Sequence, residues 1–446
     1  APYLMVYYVH EKFKNLSSNL ADRRNMQNTT ETQFIKILEA ELVKALGCTE
    51  PIAIAYAGAV ARDCLGSVPE EMTVSCSGNI IKNAKAVVVP MTRGLKGIEA
   101  AAIAGAVGGD ARKGLEVLTG VTDENVCQMT RLLEKKMCRV QLLDTEEKLH
   151  IVLVAKQGDD RVEVELMRTH LGVIRIEKNR QVLWSEKPKE DAGGVDYSCL
   201  NMDSIFTFAT EVPIGQVEDL MREQILCNTS IAQAGLSGHY GAEVGKTLLE
   251  VYGTDVWVRA KAVTAAGSDA RMNGCELPVV INSGSGNQGM TVSLPVIEYA
   301  ASLKCSEEQL CRALVMSNLI AIYLKYQIGR LSAYCGVVTA AAGAGAGITY
   351  LMGGSRQQIE KTVLNTLADT SGIVCDGASA SCAAKIATSV DAAVMSSYLS
   401  MNGHAFLPGE GIVKDNLQKT VDGVITLAKE GMKKTDEVIL EIMIQD

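Results

Sequence analysis

Aromatic side chains are scarce in this 446-residue sequence, at 4% of all residues. It also lacks an uninterrupted apolar run of about 20 residues, the length that a membrane-spanning helix needs. Positive charge is not in excess, since 43 Lys and Arg stand against 52 Asp and Glu, a formal net charge of −9. Nucleic-acid binding requires concentrated Lys and Arg. We therefore expect a globular protein whose partner is neither a membrane nor a nucleic acid.

The 13 cysteines are odd in number and scattered, so they do not form a disulfide framework. Residues 1–10 are apolar but lack the basic stretch and the cleavage site of a secretion signal. A long chain of this kind keeps its thiols reduced in a reducing compartment. We therefore expect a cytoplasmic protein with free cysteines.

The order of patterns along the chain predicts an α+β fold with a mainly helical catalytic domain. Into this domain a small unit with a mostly antiparallel sheet is inserted. Four parts are expected: an N-terminal extension (1–30), the first part of the helical domain (31–116), the small α+β unit (117–190) and the second part of the helical domain (191–446). Glycine and alanine faces on the helices suit close association between copies, which favours a homodimer.

Two features near the start of the helical domain carry specific expectations. Apolar residues at helical spacing predict a helix from residue 33 to 46, ended by Gly47. The small unit is expected to contain one amphipathic helix and four strands, at residues 121–136, 139–143, 149–156, 161–167 and 173–177. His150 and His170 lie in or beside these strands, where a structural or exposed histidine is commoner than a catalytic one.

Three cysteines, Cys335, Cys375 and Cys382, lie among Gly, Ala and Ser in residues 332–382. Small residues let backbones approach closely, and they also leave space for a bound group. One interpretation is a pair of tightly packed helices with buried thiols. The other is a binding site. The cysteine spacing is not C-x-x-C and does not by itself indicate a metal site.

A fourth cysteine lies in the sequence Gly47-Cys48-Thr49-Glu50-Pro51. Proline is favoured in the first turn of a helix, so a helix is expected to begin near Pro51. Cys48 would then precede the helix N-terminus, where the helix dipole favours a thiolate. The alternative is a capped corner between two helices that contains an incidental cysteine.

Two glycine-containing segments offer groups that bind a carboxylate. The first, residues 77–83, is predicted as a turn that carries Asn79, Lys82 and Asn83. The second, residues 282–289, follows an apolar run and offers backbone N–H groups and polar side chains. The candidates among these side chains are Ser283, Ser285, Asn287 and Gln288. Either segment could equally be a plain turn.

Residues 238–247 contain Gly-Lys-Thr, but the glycine spacing does not fit a phosphate-binding loop, so nucleotide hydrolysis is excluded.

Five motifs in this order resemble the L-cysteine desulfidase family (UPF0597), relatives of the iron–sulfur L-serine dehydratase alpha chain. They are G-C-T-E-P at 47–51, S-G-N-I-I-K-N at 77–83, S-G-S-G-N-Q-G at 283–289, Y-C-G at 334–336 and V-C-D-G-A at 374–378. The resemblance covers residues 31–440.

The resemblance implies a [4Fe–4S] cluster held by Cys48, Cys335 and Cys375, with Cys382 as a substitute ligand. It also implies a lyase, independent of pyridoxal phosphate, that converts L-cysteine to pyruvate, ammonia and hydrogen sulfide. Substrate binding is expected from Asn79, Asn83, Ser283, Asn287 and Gln288. The candidates for the catalytic base are Lys82, Lys246 and Ser285, since a buried lysine loses part of its basicity.

Three alternatives remain at this point. The nearest is L-serine dehydration by the same mechanism. The second is a regulator that binds an iron–sulfur group or an amino acid without turnover, with the small α+β unit as its sensor. The third is a structural protein whose thiols only pack.

Overall fold

A computed structural model describes residues 30–188, 195–329 and 331–444. The expected N-terminal extension lies outside the described residues, except for Thr30. In the part of the chain that the structure describes, no helix is both long and apolar enough to cross a membrane.

Helices make up most of the described chain. In chain order they are α1 (Thr30–Glu41), α2 (Thr49–Leu65), α3 (Gly78–Ala84), α4 (Gly97–Gly108), α5 (Asp123–Glu134), α6 (Met202–Glu211), α7 (Glu218–Ser237), α8 (Val244–Tyr252), α9 (Val256–Met272), α10 (Gly286–Leu303), α11 (Glu307–Ile328), α12 (Gly336–Leu351), α13 (Arg356–Thr370), α14 (Cys382–Met401), α15 (Leu417–Thr426) and α16 (Lys433–Ile444). The strands are β1 (Lys44–Leu46), β2 (Glu71–Cys76), β3 (Cys138–Leu142), β4 (His150–Gln157), β5 (Asp160–Met167), β6 (Val173–Lys178), β7 (Gln181–Ser185) and β8 (Pro278–Val280).

Six strands form one sheet in the order β3-β2-β4-β5-β6-β7. Only β2 and β3 are parallel, and every other pair is antiparallel. Alternate residues of β4, among them Ile151, Leu153 and Ala155, are fully buried and form the core face of the sheet. The α+β class with a mainly helical body and a mostly antiparallel sheet is therefore confirmed.

The sheet takes one of its inner strands from outside the segment assigned to the small unit. Strand β2 precedes residue 117, yet it lies between β3 and β4 and pairs with both. The division of the chain at residue 117 stays a prediction. The sheet itself joins the beginning of the helical domain to the small unit. Helix α3 follows β2 directly in the chain and is held at the end of this sheet.

Glycine and alanine faces allow the helices of the body to pack at short range. A Cβ atom on Gly105 of α4 would lie 1.8 Å from the carbonyl oxygen of Ala55 in α2. A Cβ atom on Gly343 of α12 would lie 2.4 Å from the carbonyl oxygen of Ser317 in α11. Side chains larger than hydrogen would push these helix pairs apart.

Two local predictions were wrong. The helix expected to reach residue 46 ends at Glu41, and β1 instead pairs antiparallel with β8 more than 200 residues away. The turn expected at residues 77–83 is the helix α3. In both segments contacts with distant parts of the chain decide the backbone conformation, and local sequence patterns do not contain that information.

Candidate functional site

The two cysteine segments of the C-terminal half lie side by side. Tyr334 and Val374 form an isolated antiparallel bridge. The backbone N–H of Cys375 donates to the carbonyl oxygen of Ala333 at 2.7 Å, and that of Cys335 donates to Ile373 at 3.2 Å. These bonds hold Cys335, at the start of α12, next to Cys375, although 40 residues separate them in sequence.

Cys48 and Cys382 complete a group of four thiols around one cavity. Cys48 precedes the first turn of α2, as expected, and Cys382 begins α14. Both line a cavity of about 90 Å³ together with Cys335 and Cys375. We call this cavity the inner cavity. The structure thus brings all four cysteines singled out from the sequence to one place.

Burial keeps the thiols of Cys48, Cys335 and Cys382 protonated near neutral pH. It raises the pKa of Cys48 to about 12, and the nearby positive charge of Arg271 only partly opposes this effect. Burial, with the neighbouring Cys375, also raises the pKa of Cys335 to about 12. The pKa of Cys382 is raised for the same reason. Such thiols become good ligands only when a bound metal takes the place of their protons.

The four sulfurs do not form a site for a single ion. Within the described ranges, no group of three or more His, Cys, Asp or Glu side chains is arranged to hold one metal ion. Cysteine thiolates are the usual protein ligands of iron–sulfur clusters, so the chemistry of this donor set is compatible with such a group.

The segment 282–289 supplies a polar wall of the inner cavity. Ser285 precedes α10, while Asn287 and Gln288 lie in its first turn, and all three line the cavity. Asn83 of α3 lines it as well. Ser283 has a φ of 51° and donates a hydrogen bond to Asn282, and its side chain faces a neighbouring pocket. Three of the five residues expected to bind substrate, Asn83, Asn287 and Gln288, therefore line the inner cavity.

Arg271, near the end of α9, is a buried cation that sequence patterns did not single out. It is 4% exposed and lines the inner cavity. Its Nη1 donates to Asn287 Oδ1 at 3.3 Å, while its Nε has no hydrogen-bond partner among the described residues. A Cβ atom on Gly286 would lie 2.3 Å from this Nε, so the glycine makes room for the guanidinium.

Gln288 offers an unpaired acceptor in the same cavity. The residue is 5% exposed, and its Oε1 finds no donor in the described part of the protein. Its side chain lies against Gly336, the residue after Cys335, where a Cβ atom would come within 2.6 Å of it. Buried polar groups in proteins are nearly always hydrogen-bonded. An unpaired donor on Arg271 and an unpaired acceptor on Gln288 therefore point to a ligand that carries both kinds of group.

Lys325 of α11 is a second buried cation at the inner cavity. It is 2% exposed, and no residue in the described ranges forms a hydrogen bond or an ion pair with its ammonium. Burial lowers its pKa to about 8, although the neighbouring Cys375 and Cys335 act in the opposite direction. A lysine with such a pKa is partly neutral near physiological pH and can accept a proton.

Lys82 and Asn79 of α3 are instead engaged with the C-terminal helix. Lys82 Nζ forms an ion pair with Asp436 Oδ1 of α16 at 2.5 Å and donates to the carbonyl oxygen of Cys375 at 3.2 Å. Asn79 donates to the other oxygen of Asp436. These contacts position the Cys375 segment, and they leave Lys82 less free to accept a proton than Lys325.

Lys246 lies in α8, outside the inner cavity. Its ammonium donates to the carbonyl oxygen of Gly238 and pairs with Glu243 at 3.5 Å. Both partners belong to the turn that precedes the same helix. The geometry therefore favours Lys325 over Lys246 as a proton acceptor.

Glu50 and His170 connect the inner cavity with the small sheet unit. Burial disfavours the charge of Glu50, but the neighbouring His170 outweighs burial and holds the pKa of Glu50 below its ordinary value. Their Oε1 and Nε2 atoms are 3.9 Å apart. Glu50 belongs to the G-C-T-E-P motif, whereas Lys325 and Arg271 belong to no recognisable sequence pattern. Only their burial around the cysteines reveals them.

Comparisons with known proteins confirm the family that the five motifs indicated. A family model described as serine dehydratase alpha chain matches residues 112–441. The chain is also 62% identical over 413 residues to a UPF0597 protein of Lachnoclostridium phytofermentans. This match covers 92% of this chain and 99% of that protein. A UPF0597 protein of Treponema denticola is 48% identical over 95% of this chain and 100% of its own length. A UPF0597 protein of Fusobacterium nucleatum is 43% identical over 92% of this chain and 98% of its own length.

Proposed function

The chain belongs to the UPF0597 family, which is related to the serine dehydratase alpha chain, and we propose that it is an L-cysteine desulfidase acting in the cytoplasm. The observation that carries this proposal is the pair of unpaired buried groups, Arg271 Nε and Gln288 Oε1, in a cavity lined by four thiols. A buried donor and a buried acceptor in one cavity suit the carboxylate and the ammonium of an α-amino acid.

The proposed cofactor is a [4Fe–4S] cluster held by Cys48, Cys335 and Cys375, with Cys382 as the alternative ligand. The donor set supports it, because four cysteines line one cavity. The buried cation Arg271 would also offset part of the negative charge of cluster thiolates. When bound, such a cluster supplies a Lewis-acidic iron that stabilises the departing sulfide.

The residues of this chain would orient the amino acid and move its protons. Arg271 and Asn287 bind the carboxylate, and Gln288 accepts from the ammonium. Lys325 Nζ takes the α-proton, the carbon–sulfur bond breaks, and sulfide leaves with the bonding electron pair. The resulting aminoacrylate tautomerises to the imine, and one water hydrolyses this imine to pyruvate and ammonia. Ser285 and Lys82 remain the other base candidates near this site.

L-Serine dehydration is the second candidate function, and the match to the serine dehydratase alpha chain favours it. Hydroxide would leave in place of sulfide, and the same residues would act. The two substrates differ by one atom, so the shape of the pocket decides between them.

The deciding experiment measures pyruvate released by anaerobically reconstituted, desalted protein from L-cysteine and L-serine in parallel. Pyruvate mainly from L-cysteine supports the proposal, and pyruvate mainly from L-serine assigns the protein to the dehydratases. With iron demonstrably bound, an absence of pyruvate from both substrates would refute both candidates and leave the regulator.

Removal of the Arg271 guanidinium should weaken substrate binding. We expect Arg271→Gln to lower kcat/KM by about 10- to 100-fold, because a hydrogen bond to a charged group contributes about 1.5–3 kcal/mol. Gly286→Ala keeps the charge but displaces the guanidinium, and should act in the same direction. Steady-state kinetics with Arg356→Gln, an exposed arginine far along the chain, provide the control. An unchanged KM in both cavity variants would argue against this role of Arg271.

A further inference from the structure

A larger pocket adjoins the inner cavity, and the motifs do not account for it. We call it the outer pocket. Its volume is about 310 Å³. Three stretches of chain form most of it: residues 146–149 and 168–170 of the sheet unit, and the end of α11 from Ile322 to Gly329. Ser283, of the segment before α10, also contributes.

The two spaces have walls in common. Lys325 and Leu331 line both the outer pocket and the inner cavity. The two spaces differ in volume. Ordinary small-molecule pockets measure roughly 300–1,000 Å³. The outer pocket reaches this range, whereas the inner cavity of about 90 Å³ does not. The shared walls at Lys325 and Leu331 place the outer pocket directly beside the inner cavity, and its larger volume suits a first binding site.

Charges of both signs line the outer pocket in equal number. The carboxylates are Glu41, Glu146 and Glu147, and the cations are Lys148, Arg168 and Lys325. Arg168 and Glu147 pair at 2.8 Å at the half-buried rim. A ligand of one sign would meet repulsion from half of these groups, whereas a zwitterion meets a partner for each of its charges.

Buried groups with open hydrogen-bonding capacity lie at the inner end of this pocket. The side chain of His170 is 10% exposed, and its Nε2 lies 3.9 Å from Glu50 Oε1 but has no hydrogen-bond partner among the described residues. The ammonium of Lys325 has no partner there either. The hydroxyl of Ser283 also lines the outer pocket, and it donates to its neighbour Asn282. Unpaired buried polar groups are rare unless a ligand or water completes them.

We propose that the outer pocket is the entrance and first binding site for a small zwitterionic α-amino acid, which then passes Lys325 into the inner cavity. This inference rests on the proposed function, since it assigns a route to the same substrate. The sheet unit therefore takes part in substrate selection through residues 146–149 and 168–170.

Obstruction of the outer pocket tests the route. We expect Thr169→Trp, at a half-buried wall position, to slow the reaction of N-ethylmaleimide with Cys335 at least tenfold in the full-length protein without its cluster. Peptide mass spectrometry gives the rate for this one buried thiol among the 13. Glu146→Trp, at an exposed rim position, obstructs the same mouth with little risk to folding. Thr130→Trp, on the exposed face of α5, is the matched control.

The ligand class is tested with three probes. L-Alanine has the zwitterion but no leaving group, while propionate and ethylamine each carry one of its charges. We expect L-alanine to protect Cys335 from labelling in the unsubstituted protein without its cluster. The other two compounds should protect Cys335 far less. Equal protection by propionate would overturn the zwitterion assignment and indicate a simple anion site.

Steady-state kinetics with the substrate provide an independent test of the route. Thr169→Trp should raise KM at least tenfold and leave kcat within about twofold, because the chemical groups of the inner cavity are untouched. Labelling of Cys335 at the native rate in both tryptophan variants would overturn the proposed route. Labelling that slows as expected, in a protein that releases no pyruvate, would retain the route and refute the proposed function.

Discussion

Replacement of Lys325 by methionine is expected to lower kcat for L-cysteine by about a thousandfold, the middle of the range for loss of a general base. Methionine keeps the approximate length of the side chain but removes the ammonium. The lysine is 2% exposed and unpaired among the described residues, so its charge carries a desolvation penalty in the folded protein. We therefore expect the thermal midpoint to stay unchanged or to rise while turnover is lost.

Parallel methionine substitutions at Lys82 and Lys246 separate the three lysines. Lys82→Met removes the ion pair with Asp436 and the bond to Cys375, and it should lower the thermal midpoint. Lys246→Met removes only contacts of a turn next to α8. Turnover of Lys325→Met within tenfold of the native value would exclude this lysine as the base. A larger loss in Lys82→Met at unchanged iron content would transfer the role to Lys82.

Replacement of Cys335 by serine is expected to reduce the iron content of the purified protein to background, with complete loss of activity. Cys335 is 7% exposed, and its thiol faces the inner cavity together with three other thiols. Serine is a poor ligand for a soft iron–sulfur group, so the cluster would lose one of its few protein contacts. The iron-to-protein ratio and the visible absorption spectrum after anaerobic reconstitution measure the result.

A buried cysteine away from the cavity serves as the matched control. Cys227 of α7 is 7% exposed, and its conversion to serine should cost stability without loss of iron. Comparison of Cys48→Ser, Cys375→Ser and Cys382→Ser then identifies the remaining ligands. The variant that keeps its iron marks the thiol that is not required. Full iron content in all four cavity variants would mean that these thiols only pack.

The four cavity cysteines illustrate how much of the site the sequence could predict. Cys48 is recognisable because Pro51 marks a helix start beside it, and Cys335, Cys375 and Cys382 are recognisable because small residues surround them. Local composition therefore drew attention to these thiols, and the resemblance to the family implied a role for them as ligands. Local composition did not determine that the segments of Cys335 and Cys375 pair through their backbones, nor that Cys48, more than 280 residues before Cys335, lines the same cavity.

The sequence by itself determined the mixed helical and antiparallel architecture, the cysteines and the polar segment before α10, because these follow from local periodicity and residue type. Tertiary structure decided the rest. Strand β1 forms because β8 lies beside it, and α3 forms where a turn was expected. Arg271 and Lys325 look like ordinary helix residues in the sequence. They become candidates for function only because packing of distant helices removes them from water and leaves their charges facing the thiols.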